Sequence, residues 1–170
     1  MKNIFLRIVA IAFLFTSAGC LKGSDEEQKC NYDPCAFKAP AAEVDALRQH
    51  LAANNITATE HCSGLFYIIE NPGTGKTPEA CYSVAANYKG MLLDGSVFDQ
   101  STQGPITFGL NRVIRGWTNG LPLIKQGGRI ILYIPPSLGY GAEEKRDAQG
   151  VVRIPANSNL VFEVDLVAVQ

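Results

Sequence analysis

The chain has 170 residues, which is enough for one domain of ordinary size with additional segments. Its 15 Lys and Arg residues nearly balance its 16 Asp and Glu residues, and the net charge is −1. This balance, without a basic stripe, argues against a nucleic-acid-binding protein. After the N-terminal apolar run, no segment is apolar over enough residues to predict a membrane-spanning helix.

The first 19 residues have the composition of a secretory signal peptide. Lys2 and Arg7 precede the apolar run IVAIAFLF, and the small residues of TSAGC follow it. The TSAGC ending resembles a bacterial lipobox, in which Cys20 would carry the lipid and become the mature N-terminus. Ser17 stands where that pattern prefers an aliphatic residue, so a soluble, cleaved protein is the alternative. We expect an exported protein that a lipid anchors to the cell envelope, at the outer membrane and facing the periplasm or the cell surface.

Residues 20–39 are polar and acidic and show no hydrophobic periodicity. They are predicted to form a tether between the lipid and the domain. The acidic run SDEE, close behind Cys20, resembles the surface-export signals of Bacteroidetes-type lipoproteins. Short acidic runs are more often simply solvated.

Four cysteines remain after the lipidation site: Cys30, Cys35, Cys62 and Cys81. An even number of cysteines in an exported chain favours two disulfides. The sequence leaves all three pairings open. A zinc site is the alternative, but the cysteine spacings do not fit a zinc knuckle and the chain has two histidines. We therefore expect no metal and no cofactor.

Residues 40–63 are predicted to form a short helical extension. The segment PAAEVDALRQHLAA, residues 40–53, begins with a proline that suits the first turn of a helix. Val44, Leu47 and Leu51 recur at helical spacing and form an apolar stripe. We expect the stripe to dock on the domain, and the alternative is that it pairs with a second copy of the chain.

The segment GTGKT, at residues 73–77, contains half of a phosphate-binding loop. The full motif requires a glycine at the position of Glu70 and a helix after the lysine. The residues that follow, CYSVAANYKGML, instead alternate like a strand. We therefore interpret this segment as a turn between two strands and not as a nucleotide site.

Residues 64–170 are predicted to form the main domain, which is rich in strands. Strands are predicted at 65–70, 82–91, 97–99 continued by 105–109, 128–134 and 159–168. The segment VIRGWTNGL predicts a short helix that ends before Pro122. These elements predict an α+β fold: a twisted antiparallel five-stranded sheet wrapped around one short α-helix, with the N-terminal helical extension outside it.

Six motifs occur in this order along the domain: PGTG, NYKGMLLDGSVFDQS, PITF, VIRGW, LYIPPSLGYG and IPANSNLVFEVDL. Together they resemble the FKBP family of peptidyl-prolyl cis/trans isomerases over residues 64–170. The resemblance implies an FKBP-like fold and an isomerase (rotamase) that assists protein folding by rotating Xaa-Pro bonds in exported proteins. It also implies proline-containing unfolded or flexible polypeptides as substrates, with a macrolide as a further ligand.

The same resemblance implies a set of site residues. Asp99 would line the pocket, bond to Tyr88 and polarise the bound imide, and the Tyr140 hydroxyl would bond a substrate carbonyl. These three residues are the implied catalytic groups. The implied substrate-binding wall consists of Phe98, Phe108, Val113, Ile114, Trp117, Ile154 and Phe162. Trp117 would be the pocket floor, and Ile114 would bind a carbonyl through its backbone N–H.

Three features depart from the family pattern. Ile106 and Leu138 stand where many relatives carry aromatic residues, and residues 142–153 form a longer, more charged loop. These departures leave two alternative functions open. One is a proline-peptide-binding or chaperone-like module with weak or no turnover. The other is a surface interaction protein in which residues 21–63 carry the function.

Overall fold

The structure is a computed structural model that describes residues 30–170. The predicted signal peptide, Cys20 and the first part of the predicted tether lie outside these residues. The helices and strands, in chain order, are α1 (Ala41–Ala53), β1 (Thr59–Glu60), β2 (Phe66–Asn71), β3 (Ser83–Leu92), β4 (Val97–Gln100), β5 (Ile106–Gly109), α2 (Arg115–Gly120), β6 (Arg129–Ile134), β7 (Lys145–Arg146), β8 (Val152–Ile154) and β9 (Leu160–Val169). None of the described helices is long and apolar enough to cross a membrane.

Seven strands form one antiparallel sheet in the order β1-β2-β6-β9-β3-β4, and β5 also pairs with β3. The two longest strands, β3 and β9, lie side by side and pair from Val84–Val169 to Leu92–Leu160. Strand β9 has the alternation that the sequence shows, with Leu160, Phe162 and Val164 buried. The predicted α+β class with an antiparallel sheet is confirmed.

The sheet has more strands than the five predicted. The interrupted strand at 97–99 and 105–109 is in fact two strands, because β3 is long enough to pair with both of them in succession. Strand β4 pairs with Lys89–Met91 and β5 pairs with Ser83–Ala86. Strand β1 adds two residues at the opposite edge of the sheet.

A small hairpin of β7 and β8 forms within the segment that was predicted as a charged loop. Its turn is stabilised by Asp147, whose Oδ1 accepts hydrogen bonds from the backbone N–H groups of Gln149 and Val151 at 3.1 and 2.9 Å. Gly150 has φ = +81°, a conformation that favours glycine. The charged residues of this segment therefore lie on a hairpin with defined strand pairing.

Helix α2 packs very closely against strand β6. Gly116 and Gly120 are one helical turn apart and share the face that contacts the sheet. A Cβ atom on Gly116 would lie 2.5 Å from Ile134 Cδ1, and one on Gly120 would lie 2.6 Å from Leu132 Cδ2. Because the two glycines have no side chains, the helix rests directly on the strand.

The N-terminal helix α1 belongs to the same hydrophobic core as the sheet. Val44, Leu47 and Leu51 are buried, and Leu47 is completely inaccessible to solvent. The apolar stripe read from the sequence therefore contacts the domain within one chain.

The four cysteines of the described chain form two disulfides, Cys30–Cys81 and Cys35–Cys62. Both bonds join the segment before α1 to later parts of the fold. Residues 30–39, which were predicted as part of a polar tether, are therefore bonded covalently to the domain. The sequence pattern missed this because it has no signal for which cysteines pair.

Side-chain hydrogen bonds also hold the segment before α1 against helix α2. The Tyr32 hydroxyl donates to Asn119 Oδ1 at 2.6 Å, and Asn119 Nδ2 donates to the Pro34 carbonyl at 3.2 Å. Asn119 is 3% exposed, so these bonds satisfy a buried amide.

We expect Leu47→Ala to lower the free energy of unfolding by about 2–5 kcal/mol, because it would leave a cavity in the shared core. The exposed Gln49 lies on the same helix, and Gln49→Ala should change stability by less than about 0.5 kcal/mol. Urea unfolding followed by circular dichroism measures both. Equal stability of the two variants would show that α1 is not part of the cooperative unit.

Candidate functional site

A cavity of about 320 Å³ opens between helix α2 and the sheet. Strands β3, β4, β5 and β9 each contribute residues to it, as do α2 and the segments beside it. Its lining consists of Tyr88, Asp99, Ile106, Phe108, Arg112, Val113, Ile114, Trp117, Tyr140 and Phe162. Its volume is at the lower end of the range for small-ligand sites, so it suits one side chain or a short peptide turn.

Four aromatic rings form the base of the cavity. The Trp117 ring centroid lies 5.2 Å from that of Tyr88, 5.0 Å from that of Phe108 and 5.1 Å from that of Phe162. The interplanar angles of 84°, 60° and 87° are edge-to-face arrangements, which aromatic rings prefer over face-to-face stacking. The base is therefore rigid and apolar.

The indole of Trp117 is 5% exposed. Its Nε1–H is buried and has no hydrogen-bond partner among the described residues. Leaving a buried donor unpaired costs about 1–3 kcal/mol, so most buried tryptophans find an acceptor. This unusual cost is consistent with a tryptophan that serves a site and not the core alone.

A polar pair lies at the edge of the aromatic base. The Tyr88 hydroxyl donates a hydrogen bond to Asp99 Oδ2 at 2.7 Å. Asp99 pairs in register with Gly90, which has no side chain, so the diagonal neighbour Tyr88 reaches the carboxylate. Ser101 fixes the register, because its N–H donates to the Tyr88 carbonyl at 3.0 Å and its Oγ accepts from the Tyr88 N–H at 2.9 Å.

The two tyrosines of the cavity stay protonated at neutral pH. Burial raises the pKa of Tyr88 far above its usual value, and the hydrogen bond to Asp99 raises it further. Burial also raises the pKa of Tyr140, and the charge of Asp99 adds to this effect while Lys145 opposes it. Both phenols can therefore donate hydrogen bonds.

A second cavity of about 440 Å³ adjoins the first and shares Asp99 and Tyr140 with it. Its other lining residues are Phe98, Lys145, Arg146, Asp147, Arg153 and Ile154. Of the predicted wall residues, Phe98 and Ile154 therefore line this second cavity. The other eight predicted site residues line the first. Phe98 still supports the aromatic base, because its ring lies 5.5 Å from that of Phe162.

Among the described residues, one group has the ligand types and proximity for a metal ion: Cys35, His61 and Cys62, whose ligand atoms lie within 4.8 Å of one another. Two of these three residues are joined in a disulfide. A disulfide sulfur is a poor metal ligand because binding requires the thiolate. The arrangement therefore fits a disulfide better than a metal centre.

Residues 75–167, more than half of the chain, match the family of FKBP-type peptidyl-prolyl cis-trans isomerases. The chain belongs to this family. The resemblance that the six motifs carry is therefore confirmed, and the cavity at α2 lies inside an FKBP-type domain.

Sequence relatives and solved structures agree with this assignment. The FKBP-type isomerase FkpA of Escherichia coli strain K12 is 48% identical over 110 residues, which are 64% of this chain and 38% of that protein. A probable FKBP-type isomerase of Haemophilus influenzae is 41% identical over 134 residues, 78% of this chain and 53% of that protein. The chain therefore matches about half or less of these two relatives' length.

A solved peptidyl-prolyl cis-trans isomerase of Pseudomonas syringae is similar over nearly its whole length. It is 38% identical to this chain, with a TM-score of 0.65, and the match covers 79% of this chain and 98% of that one. The similarity extends the FKBP-type fold beyond the residues of the family match.

Two lining residues of the FKBP-type cavity were not in the predicted set. Ile106 was noted in the sequence only as a departure from an aromatic pattern, and it is 45% exposed at the rim. Arg112 was missed, although it directly precedes the predicted residues Val113 and Ile114. Its position directly before the VIRGW motif was the signal in the sequence that could have identified it.

We expect Asp99→Asn to lower the pKa of Tyr88, because the carboxylate charge that disfavours the phenolate is removed. The pKa should stay above the usual value near 10, because burial is the larger cause of the shift. A titration followed by the ring-carbon NMR shifts of tyrosine measures this.

The same raised pKa should make stability depend on alkaline pH. Unfolded tyrosine ionises near pH 10, before the folded phenol does, so stability is retained below pH 10 and falls as the pH rises above it. Asp99→Asn should make that fall shallower, and Asp45→Asn, at an exposed position on α1, should not. An unchanged Tyr88 pKa in Asp99→Asn would contradict the pairing.

Proposed function

We propose that this chain catalyses the cis/trans isomerisation of Xaa-Pro bonds in unfolded or flexible polypeptides. The observation that carries the proposal is the edge-to-face aromatic base around Trp117, with the Tyr88–Asp99 pair at its edge. Membership of the FKBP-type family supports the same activity.

The reaction needs an environment and no bond-breaking group. Rotation about an Xaa-Pro bond meets a barrier of about 20 kcal/mol and takes about 10–100 s uncatalysed. The barrier comes from amide resonance, which is strongest when water bonds to the carbonyl. Transfer of the imide to a water-excluding aromatic surface withdraws that support and favours the twisted, less polar state.

The polar groups of the cavity orient the peptide on this surface. Asp99 at the edge would polarise the imide, and Tyr88 holds the carboxylate in place through the 2.7 Å hydrogen bond. The Tyr140 hydroxyl would donate to a substrate carbonyl. The Ile114 N–H, which has no hydrogen-bond partner among the described residues, would bind a second one. Its side chain and that of Val113 complete the wall.

The proposed setting is the cell envelope. The signal-like N-terminus and Cys20 support export and lipid attachment, and two disulfides within residues 30–81 suit an oxidising compartment. Isomerisation needs no ATP, so it suits protein folding outside the cytoplasm. The same apolar cavity would also accept a macrolide as a further ligand.

The alternative in which residues 21–63 carry the function, with the isomerase fold as a scaffold, is not tested well by deleting those residues. Leu47 and Leu51 of that segment lie in the core, and the segment is bonded to the domain by both disulfides. Removing it would delete both disulfides and core residues, so a loss of activity would not distinguish the two alternatives. Point variants in the cavity separate the readings without that complication.

We expect the purified chain to accelerate isomerisation of Xaa-Pro peptides well above the uncatalysed rate in a protease-coupled assay. Asp99→Ala should lower kcat/KM by about tenfold to a hundredfold, which corresponds to losing one hydrogen bond to a charged group of about 1.5–3 kcal/mol. Trp117→Ala should lower it at least as much, because it opens the base of the cavity to water.

The matched control is Asp45→Ala, which removes an exposed carboxylate of α1 far from the cavity and should leave kcat/KM unchanged. Circular dichroism of each variant verifies folding. If the folded wild-type chain binds proline peptides without accelerating their isomerisation, the chain is a binding module and the catalytic proposal is wrong.

A further inference from the structure

Two arginines beside the cavities have no acidic partner among the described residues. Arg112 lines the first cavity and Arg153 lines the second. The neighbouring cations are neutralised: Lys145 pairs with Glu143 at 2.7 Å, and Arg146 pairs with Glu144 at 2.6 Å. The charges of Arg112 and Arg153 are therefore available to a ligand.

Both side chains are supported by the fold. The stem of Arg112 lies beside Gly109, where an added Cβ would be 3.9 Å from Arg112 Cγ and Cδ. The Arg153 Nη2 donates to the Val97 carbonyl of β4 at 3.3 Å, which uses one of the five N–H donors of its guanidinium. Donors therefore remain for a bidentate bond to a carboxylate.

Each arginine lines one of two adjoining cavities, and the proposed proline site is in the first. The first cavity, with Arg112, and the second, with Arg153, meet at Asp99 and Tyr140. A peptide whose proline lies on Trp117 and that extends in both directions would pass close to each arginine, because an extended chain advances about 3.3 Å per residue.

The acidic residues that line the two cavities accept hydrogen bonds from neutral groups. Asp99 accepts the hydrogen bond of Tyr88 at the junction of the two cavities. Asp147 accepts two backbone N–H bonds in the turn of the β7–β8 hairpin. Neither forms a salt bridge with Arg112 or Arg153 in the part of the chain that the structure describes.

We propose that this isomerase selects proline segments that carry Asp or Glu side chains on both sides of the proline, with Arg112 binding the carboxylate on one side and Arg153 binding that on the other. The inference rests on the proposed function, because it takes the proline to occupy the aromatic cavity. The preferred substrates would be proline segments with acidic residues on both sides.

The preference should be local and sensitive to salt. The chain has a net charge of −1, so its overall field does not attract acidic peptides. Exposed ion pairs are weak, and each carboxylate should improve binding by about two- to fivefold. Because exposed charges are screened, the gain should shrink as the salt concentration rises to 1 M.

The test uses amidated peptides with one proline, and with Glu or Gln at each of the two positions before and after it. Trp117 is the chain's one tryptophan, so its fluorescence reports binding at the cavity base. We expect at least one position on each side where Glu binds more tightly than Gln. The ratio of the two affinities should fall to about one in Arg112→Gln for one side and in Arg153→Gln for the other.

Lys125→Gln is the matched control, because it removes an equal charge in a loop outside both cavities and should leave both ratios unchanged. Equal affinity for Glu and Gln peptides, loss of the preference in Lys125→Gln, or no binding of any peptide would overturn the inference. Isomerisation of the same peptides is measured separately. A Glu preference in binding without rate acceleration would support the inference while contradicting the catalytic proposal.

Discussion

The close packing of α2 on β6 is the constraint on which the site depends. Gly116 and Gly120 bring the helix so near that a Cβ on either would come within 2.6 Å of a side chain of the strand. Trp117 lies between these two glycines in the chain, so the distance between the helix and strand β6 determines how deeply the indole is buried. The ring contacts near 5 Å with Tyr88, Phe108 and Phe162 exist because the helix approaches that closely.

Helix α2 is also held by the residues just before it and by the N-terminal segment. Thr118 donates to the Leu110 carbonyl at 2.6 Å, and the buried amide of Asn119 bonds to Tyr32 and Pro34. The Cys30–Cys81 disulfide ties this segment to the start of β3. A helix of six residues has little stability of its own, so contacts on both sides are needed to fix its position. The N-terminal extension thus stabilises the element that carries Trp117.

Much of the fold could be predicted from the sequence because the main signals are local. The alternation of β9, the stripe of α1 and the proline after α2 each mark an element within a few residues. The features that could not be predicted depend on pairing between residues that are far apart in the sequence. The separation of β4 from β5 reflects the length of β3, and the choice of Cys81 as the partner of Cys30 requires the folded arrangement.

The candidate site shows the same division. Motif resemblance placed most of the lining, since Trp117, Asp99 and their neighbours occur in ordered segments. The resemblance did not distinguish two adjoining cavities: eight of the ten implied residues line the first, and Phe98 and Ile154 line the second. Arg112 was missed because its position next to VIRGW was the one available signal, and an exposed arginine gains meaning mainly from the cavity beside it.

The cavity combines two environments that the proposed isomerisation would need to keep apart. Trp117 and Phe162 at the aromatic base are buried, while Asp99 and the two arginines are exposed at the rim, where their charges are solvated. A charge moved to the base would be costly to bury, and an aromatic base opened to water would no longer weaken amide resonance. Under the proposed function the base would accept any proline, and discrimination among peptides would come from the rim. In this chain the rim offers an isoleucine and two arginines without acidic partners among the described residues, which makes charge the available basis for selection.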